Sequence, residues 1–125
     1  MRLLLDTHAL LWWLEENPAL SRAAYAAIAD SETVAVSAAS IWEISTKQNL
    51  GKLRPPVDDV VGSLEASRLE TLPITPEHAW AAGALPLNHR DPFDRILVAQ
   101  AQLEGFTIVT RDPKIAAYQV AVLTA

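Results

Sequence analysis

Short apolar runs without polar alternation recur along this chain, separated by segments that carry helix start and stop signals. That alternation constrains the fold more than any other feature. Leu3-Leu4-Leu5, Thr33–Ser37 (TVAVS) and Phe106–Thr110 (FTIVT) would place apolar or β-branched side chains on both faces of an extended segment. A strand apolar on both faces has to be covered on both, as a parallel strand between two layers of helix is. Strands alternating with helices thus predict an α/β fold, a parallel sheet with helices on both faces. Right-handed crossovers place those helices, and ligands gather beyond the carboxyl ends of the strands.

The expected elements follow from local chemistry. A strand over Arg2–Asp6 leads to a helix over Ala9–Glu16, stopped near Asn17-Pro18 because proline disfavours helix in the residue before it. Ser21 caps a second helix to about Ala29, and Thr33–Ser37 is the second strand. A helix starting at Ser37 or Ser40 runs to about Leu50, with Gly51 as its stop. Beyond Pro55-Pro56, Val57–Ser67 reads as helix, and Leu69–Ile74 as a strand whose Pro73 suggests an end or an edge position. Thr75-Pro76-Glu77 opens a helix to Gly83, and Asp91-Pro92-Phe93-Asp94 opens one through Leu103, ended by Gly105. Phe106–Thr110, a helical turn after Asp112-Pro113, and a strand over Val120–Leu123 complete the chain.

At 125 residues this pattern suits a single domain over residues 1–125, long enough to bury roughly two-thirds of its unfolded surface. There is no cysteine, so disulfides and thiolate-bound zinc are excluded. Asp6 and His8 interrupt the first apolar run, so neither a secretory signal nor a membrane span is expected, and a soluble cytoplasmic chain is. The net charge of −5 disfavours generic binding to phosphate backbones. Acids concentrated in one metal-binding pocket would leave the remaining surface near neutral.

Taken singly, the acids have ordinary explanations. Asp91, with Pro92 and Asp94 after it, has the form of a helix cap, as does Asp112-Pro113, and Asp6 can cap the first helix. Glu43 stands four residues before Lys47, where a surface ion pair contributes only ~0.3–0.5 kcal/mol. Jointly they are less ordinary. Asp6, Asp112 and the Asp91/Asp94 pair all fall at junctions leading into helices of one sheet, and Glu43 sits among Ile41, Trp42 and Ile44. Clustered carboxylates repel and need a cation, and hard oxygen donors favour magnesium or manganese. Two such ions ~3.5–4 Å apart can activate water and stabilise the leaving oxygen of a phosphodiester. Thr110 can orient a ligand or only fill a strand end. His89, Arg90, Arg95 and Arg111 can hold phosphates, or else neutralise acids and cap loops. Trp12 and Trp13 stand in an almost wholly apolar helix, hence core or interface, whereas Trp42 and Trp80 are expected in the core or a groove.

Four segments then carry a resemblance: LLLDTHALLWWL at 3–14, SAASIWEISTKQNLGKL at 37–53, HRDPFDRILVAQAQ at 89–102 and IVTRDPKI at 108–115. In this order the chain resembles the PIN-domain family and, within it, the VapC-type toxins of type II toxin–antitoxin pairs. The resemblance implies a three-layer αβα sandwich around a central parallel sheet. It also implies Mg2+-dependent RNA cleavage (Mn2+ as substitute) by metal-activated water, homodimerisation, and inhibition by a VapB-type antitoxin protein. The family's acids correspond to Asp6, Glu43, Asp94 and Asp112 as catalytic and metal-holding residues, with Asp91 an additional acid able to contribute a ligand.

An aspartyl phosphatase would carry a second aspartate where this chain has His8, and a receiver domain would carry its acceptor where Pro73 and Ile74 stand. The remaining rival is a PIN-like protein-binding module without catalysis, disfavoured by the presence of all four acids.

Overall fold

A computed structural model describes residues 1–125. Five strands, β1 (Arg2–Leu5), β2 (Thr33–Ser37), β3 (Glu70–Leu72), β4 (Thr107–Thr110) and β5 (Ala121–Thr124), form one sheet in the order β3-β2-β1-β4-β5, every pair parallel. The chain builds outward from β1 through β2 to β3, then returns to lay β4 on the other side of β1. The strand order therefore reverses at β1/β4, and a crevice opens there at the carboxyl ends. Leu5 pairs with Val36 on one side and Val109 on the other, and the Asp6 amide donates to the Val109 carbonyl, carrying the ladder to the rim.

Both faces of the sheet are covered, as the unbroken apolar strands require. Leu3, Leu5, Val34, Val36 and Val109 face α1 (Thr7–Leu14), α2 (Arg22–Asp30), α3 (Ala38–Asn49) and α4 (Val60–Ala66). Leu4, Ala35 and Ile108 face α6 (Pro92–Glu104) and α7 (Pro113–Ala116), with α5 (Pro76–Ala84) packed against α6. Leu3, Leu4 and Leu5 are all fully buried, which gives the chain the αβα sandwich expected of it.

Most boundaries fall within two residues of expectation, at the caps that were anticipated: Ser21, Ser37 and Asp91 each accept helix amides, and Gly105 ends α6 at φ 74°. Two elements are shorter. Helix α4 begins at Val60 rather than Val57 because Asp59 is its cap, accepting from the Gly62 amide. Strand β3 covers three residues at the sheet edge and stops before Pro73, which has no N–H for the ladder. Trp42 and Trp80, expected in the core or a groove, are both outside the core at 59% and 84% exposed, and Trp80 lines an open groove on α5 with Ala79, Gly83 and Ala84. Trp42 lies edge-on against Phe93, and the buried faces of α3 and α5 are lined instead by small and polar residues such as Ala39, Ser40, His78 and Ala82. No helix is long and apolar enough to cross a membrane.

Candidate active site

The acids reach the β1/β4 crevice from four different elements. Asp6 follows β1 and caps α1, giving Oδ1 to the Ala9 amide at 2.8 Å. Asp112 follows β4 and caps α7, giving Oδ1 to the Lys114 amide. Asp91 caps α6 through Oδ1, which accepts from the Phe93 and Asp94 amides. The capping role read for each of these residues is real, and it commits only one oxygen of each carboxylate. Asp94 lies in the first turn of α6, where the helix dipole favours a negative charge. Glu43 belongs to the face of α3 that buries Ala39, Ser40 and Ile44 and is itself only 4% exposed.

Geometry links them in series. His89 Nε2 stands 2.8 Å from Asp94 Oδ2 and 3.3 Å from Asp112 Oδ2, so the imidazole bridges acids from α6 and the β4–α7 junction. The donor atoms of His89, Asp94 and Asp112 all lie within 4.8 Å of one another. Asp6 and Asp112 share the lining of an open pocket with His8, Trp12 and Arg111. On the α3 side, Thr7 Oγ1 donates to Glu43 Oε1 at 2.5 Å, and Lys47 Nζ donates to Glu43 Oε2 at 2.6 Å. The ion pair anticipated on a surface thus has a buried acidic end.

Electrostatics records the crowding. Burial, reinforced by the charges of Asp91 and Glu43, pushes the Asp94 carboxyl up to about 7, against a partial offset from His89. Burial also raises Asp6, opposed by the Thr110 hydroxyl and the Ala9 amide and helped by Asp112. The Lys47 ammonium is raised, first by its bond to Glu43 and further by Asp91 and Asp94. Acids held in this state gain from a hard divalent cation, and the carboxylates of Asp6, Asp91, Asp94 and Asp112 are a donor set of the right chemistry.

The basic residues divide differently from the acids. Arg95 is buried and gives its guanidinium to the carbonyls of Ala82, Gly83, Leu85, Pro86 and His89, so it organises a loop and does not face a phosphate. Arg111 donates to the carbonyls of Ala19 and Ala125 and stacks over Trp12. His89 is the residue whose importance the sequence underweights. Its amide donates to the Tyr118 hydroxyl and its carbonyl accepts from Arg95, which aims the ring between two acids. The role of Thr7 carried no sequence signal, since a threonine opening a helix is commonplace.

A parallel sheet of this order, with acids gathered at its switch point, defines a class of α/β domains with carboxylate sites. The model of the PIN domain matches residues 3–121, and the chain belongs to the PIN-domain family. It is 36% identical over 119 residues to Ribonuclease VapC22 of Mycobacterium tuberculosis, covering 93% of this chain and 91% of that protein. Among solved structures it is similar to VapBC2 from Rickettsia felis bound to a promoter DNA fragment. There the TM-score is 0.71 at 18% identity, over 98% of both chains. It is also similar to a toxin–antitoxin complex from Klebsiella pneumoniae, with a TM-score of 0.67 at 22% identity, over 97% of this chain and 95% of that one. At these identities the solved structures establish the shared fold.

Proposed function

We propose that this chain is a metal-dependent endoribonuclease, the toxin of a toxin–antitoxin pair, with Mg2+ as its usual ion and Mn2+ able to replace it. The observation that carries this reading is the convergence of Asp6, Asp94 and Asp112 on one crevice in a chain similar to a ribonuclease.

A bound divalent ion would supply the Lewis acidity that activates water and offsets charge on the phosphodiester. The chain's own residues do the rest. Asp6, Asp94 and Asp112 present the oxygens that hold the ion, with Asp91 able to add one from its cap position. His89 keeps the Asp94 and Asp112 carboxylates at a fixed separation before any ion arrives. The Thr110 hydroxyl steadies Asp6 and also receives the Asp112 amide, tying the two acids to the end of β4. Glu43, gripped by Thr7 and Lys47, sets the charge of the α3 wall. The exposed Lys52 and Arg54 can guide an RNA backbone toward the crevice. Cleavage would leave a 3′-hydroxyl and a 5′-phosphate.

The antitoxin, a VapB-type protein, fits the same reading. Trp13, Leu14 and Tyr25 line an open groove beside α1 and α2, with Tyr25 52% exposed, and an apolar segment of a partner would cover that surface. Homodimerisation and a single domain over residues 1–125 belong to the proposal as well.

The test is cleavage of a mixed RNA pool by purified, antitoxin-free protein, with Mg2+ or Mn2+ against EDTA. Metal-dependent cutting lost by more than ~100-fold in both Asp6→Asn and Asp94→Asn supports the site, since supporting residues alone typically cost ~10–100-fold. No cutting by folded protein under either ion would sink the nuclease reading in favour of a binding module.

A further inference from the structure

The acid cluster has two unequal halves, and Asp94 belongs to both. Toward β1 and β4, His89 joins Asp94 to Asp112, Asp112 shares a pocket with Asp6, and no lysine or arginine forms an ion pair with any of these acids. Arg111, which lines the pocket of Asp6 and Asp112, has its guanidinium occupied by the Ala19 and Ala125 carbonyls and by Trp12. Toward α3, Glu43 accepts from protein donors on both oxygens: Thr7 Oγ1 on one and Lys47 Nζ on the other. The Lys47 ammonium reaches in from a side chain 39% exposed to a Glu43 side chain 5% exposed, and it lies in the field of Asp91 and Asp94 as well. A positive charge thus already stands against Glu43 on that side, within the field of two further carboxylates.

We infer that Lys47 occupies the place of a second cation, so that the site binds one divalent ion, on the Asp6/Asp94/Asp112 side. This rests on the proposed metal site and names its stoichiometry. Paired ions in phosphodiester-cleaving sites lie ~3.5–4 Å apart and share carboxylates. Here the carboxylate that would reach the second ion, Glu43, is the one acid of the cluster already paired with a lysine ammonium. A divalent ion beside it would also face the ammonium across a few ångströms, where like charges repel strongly. The ammonium offsets negative charge as an ion would, but it remains tethered one helical turn from Glu43 on α3 and stays with the protein when chelator strips the metal.

Equilibrium Mn2+ titration followed by electron paramagnetic resonance tests this on the full chain, without reference to RNA cleavage. The wild type binds one ion tightly. Lys47→Met, which keeps the stem and removes the charge, gains a second ion at least ~10-fold tighter than any second ion of the wild type, as expected from deleting a unit charge ~4 Å away. At two equivalents it shows the exchange-coupled spectrum of a paired site. Lys47→Arg keeps the charge and stays at one ion. Should Lys47→Met melt early in EDTA, Lys47→Gln takes its place. Two ions of comparable affinity in the wild type overturn the inference and leave the nuclease proposal intact, as does failure of both charge-removing variants to gain an ion. Absence of any bound Mn2+ in the wild type overturns both.

Discussion

At the scale of single residues, Asp94 shows what the fold sacrifices to make the site. An isolated aspartate releases its proton near 3.8, whereas burial and the neighbouring acids hold that of Asp94 until about 7. Between those values the native state binds more protons than the unfolded one, so stability falls as pH rises through that window. Below it the penalty is absent, and above it the penalty is constant. The shift sets a ceiling of about 4 kcal/mol at ~1.4 kcal/mol per pH unit. In EDTA the wild type should therefore melt at a lower temperature at pH 7 than at pH 5, and Asp94→Asn should flatten that profile. Parallel profiles for the two proteins would show that Asp94 does not carry the strain. Residue identity alone suggested the acids, because aspartate before proline at a helix start is visible in any sequence. The shared imidazole of His89 was not visible, since its two partners stand 5 and 23 residues further along the chain. Trp42 and Trp80 went the other way, being large and apolar yet left outside the core.

At the scale of elements, the loop between α5 and α6 is held by one side chain. Arg95, in the second turn of α6, ties down five carbonyls, and the Tyr118 hydroxyl adds bonds to Pro86 and His89. Arg95→Met should destabilise by at least ~3 kcal/mol in urea denaturation, because several buried carbonyls lose a charged donor at once. Arg95→Lys should recover only part of that, as an ammonium cannot reproduce the planar fork. Full recovery by lysine would mean that charge alone, without directional bonding, organises the loop. Caps, prolines and glycines made the helices legible to within a residue or two, except α4, which starts three residues later than expected. The arginine's destination was not, since five acceptors scattered over residues 82–89 leave no pattern in a sequence. An arginine beside an acid reads equally well as a phosphate ligand.

At the scale of the whole molecule, metal binding and folding should be coupled. The proposed donors come from the end of β1, α6 and the end of β4, and they meet only when the sheet is complete. An unfolded chain therefore offers no comparable site. At a free concentration ~100 times Kd, Mn2+ should stabilise the protein by ~2.7 kcal/mol, or roughly 10 °C for a chain of this size. Calorimetry in EDTA and in Mn2+ measures this, and Asp6→Asn should lose most of the shift. An undiminished shift in that variant would place the ion elsewhere.

What this sequence determined by itself is the class of the fold, and it put forward the acids proposed for the site. Strands apolar on both faces cannot be stable except between two layers, and helix starts mark themselves with short polar caps. Those are local facts, carried by neighbouring residues. Only the tertiary structure decided which charges meet: that His89 joins Asp94 to Asp112, that Glu43 is closed by Thr7 and Lys47, and that Arg95 faces carbonyls. The strand order β3-β2-β1-β4-β5 sets those distances, because it lays β4 beside β1 and so brings Asp112 to Asp6 across more than a hundred residues of chain. Electrostatic interaction depends on separation in space and on burial, and neither quantity is written along a sequence.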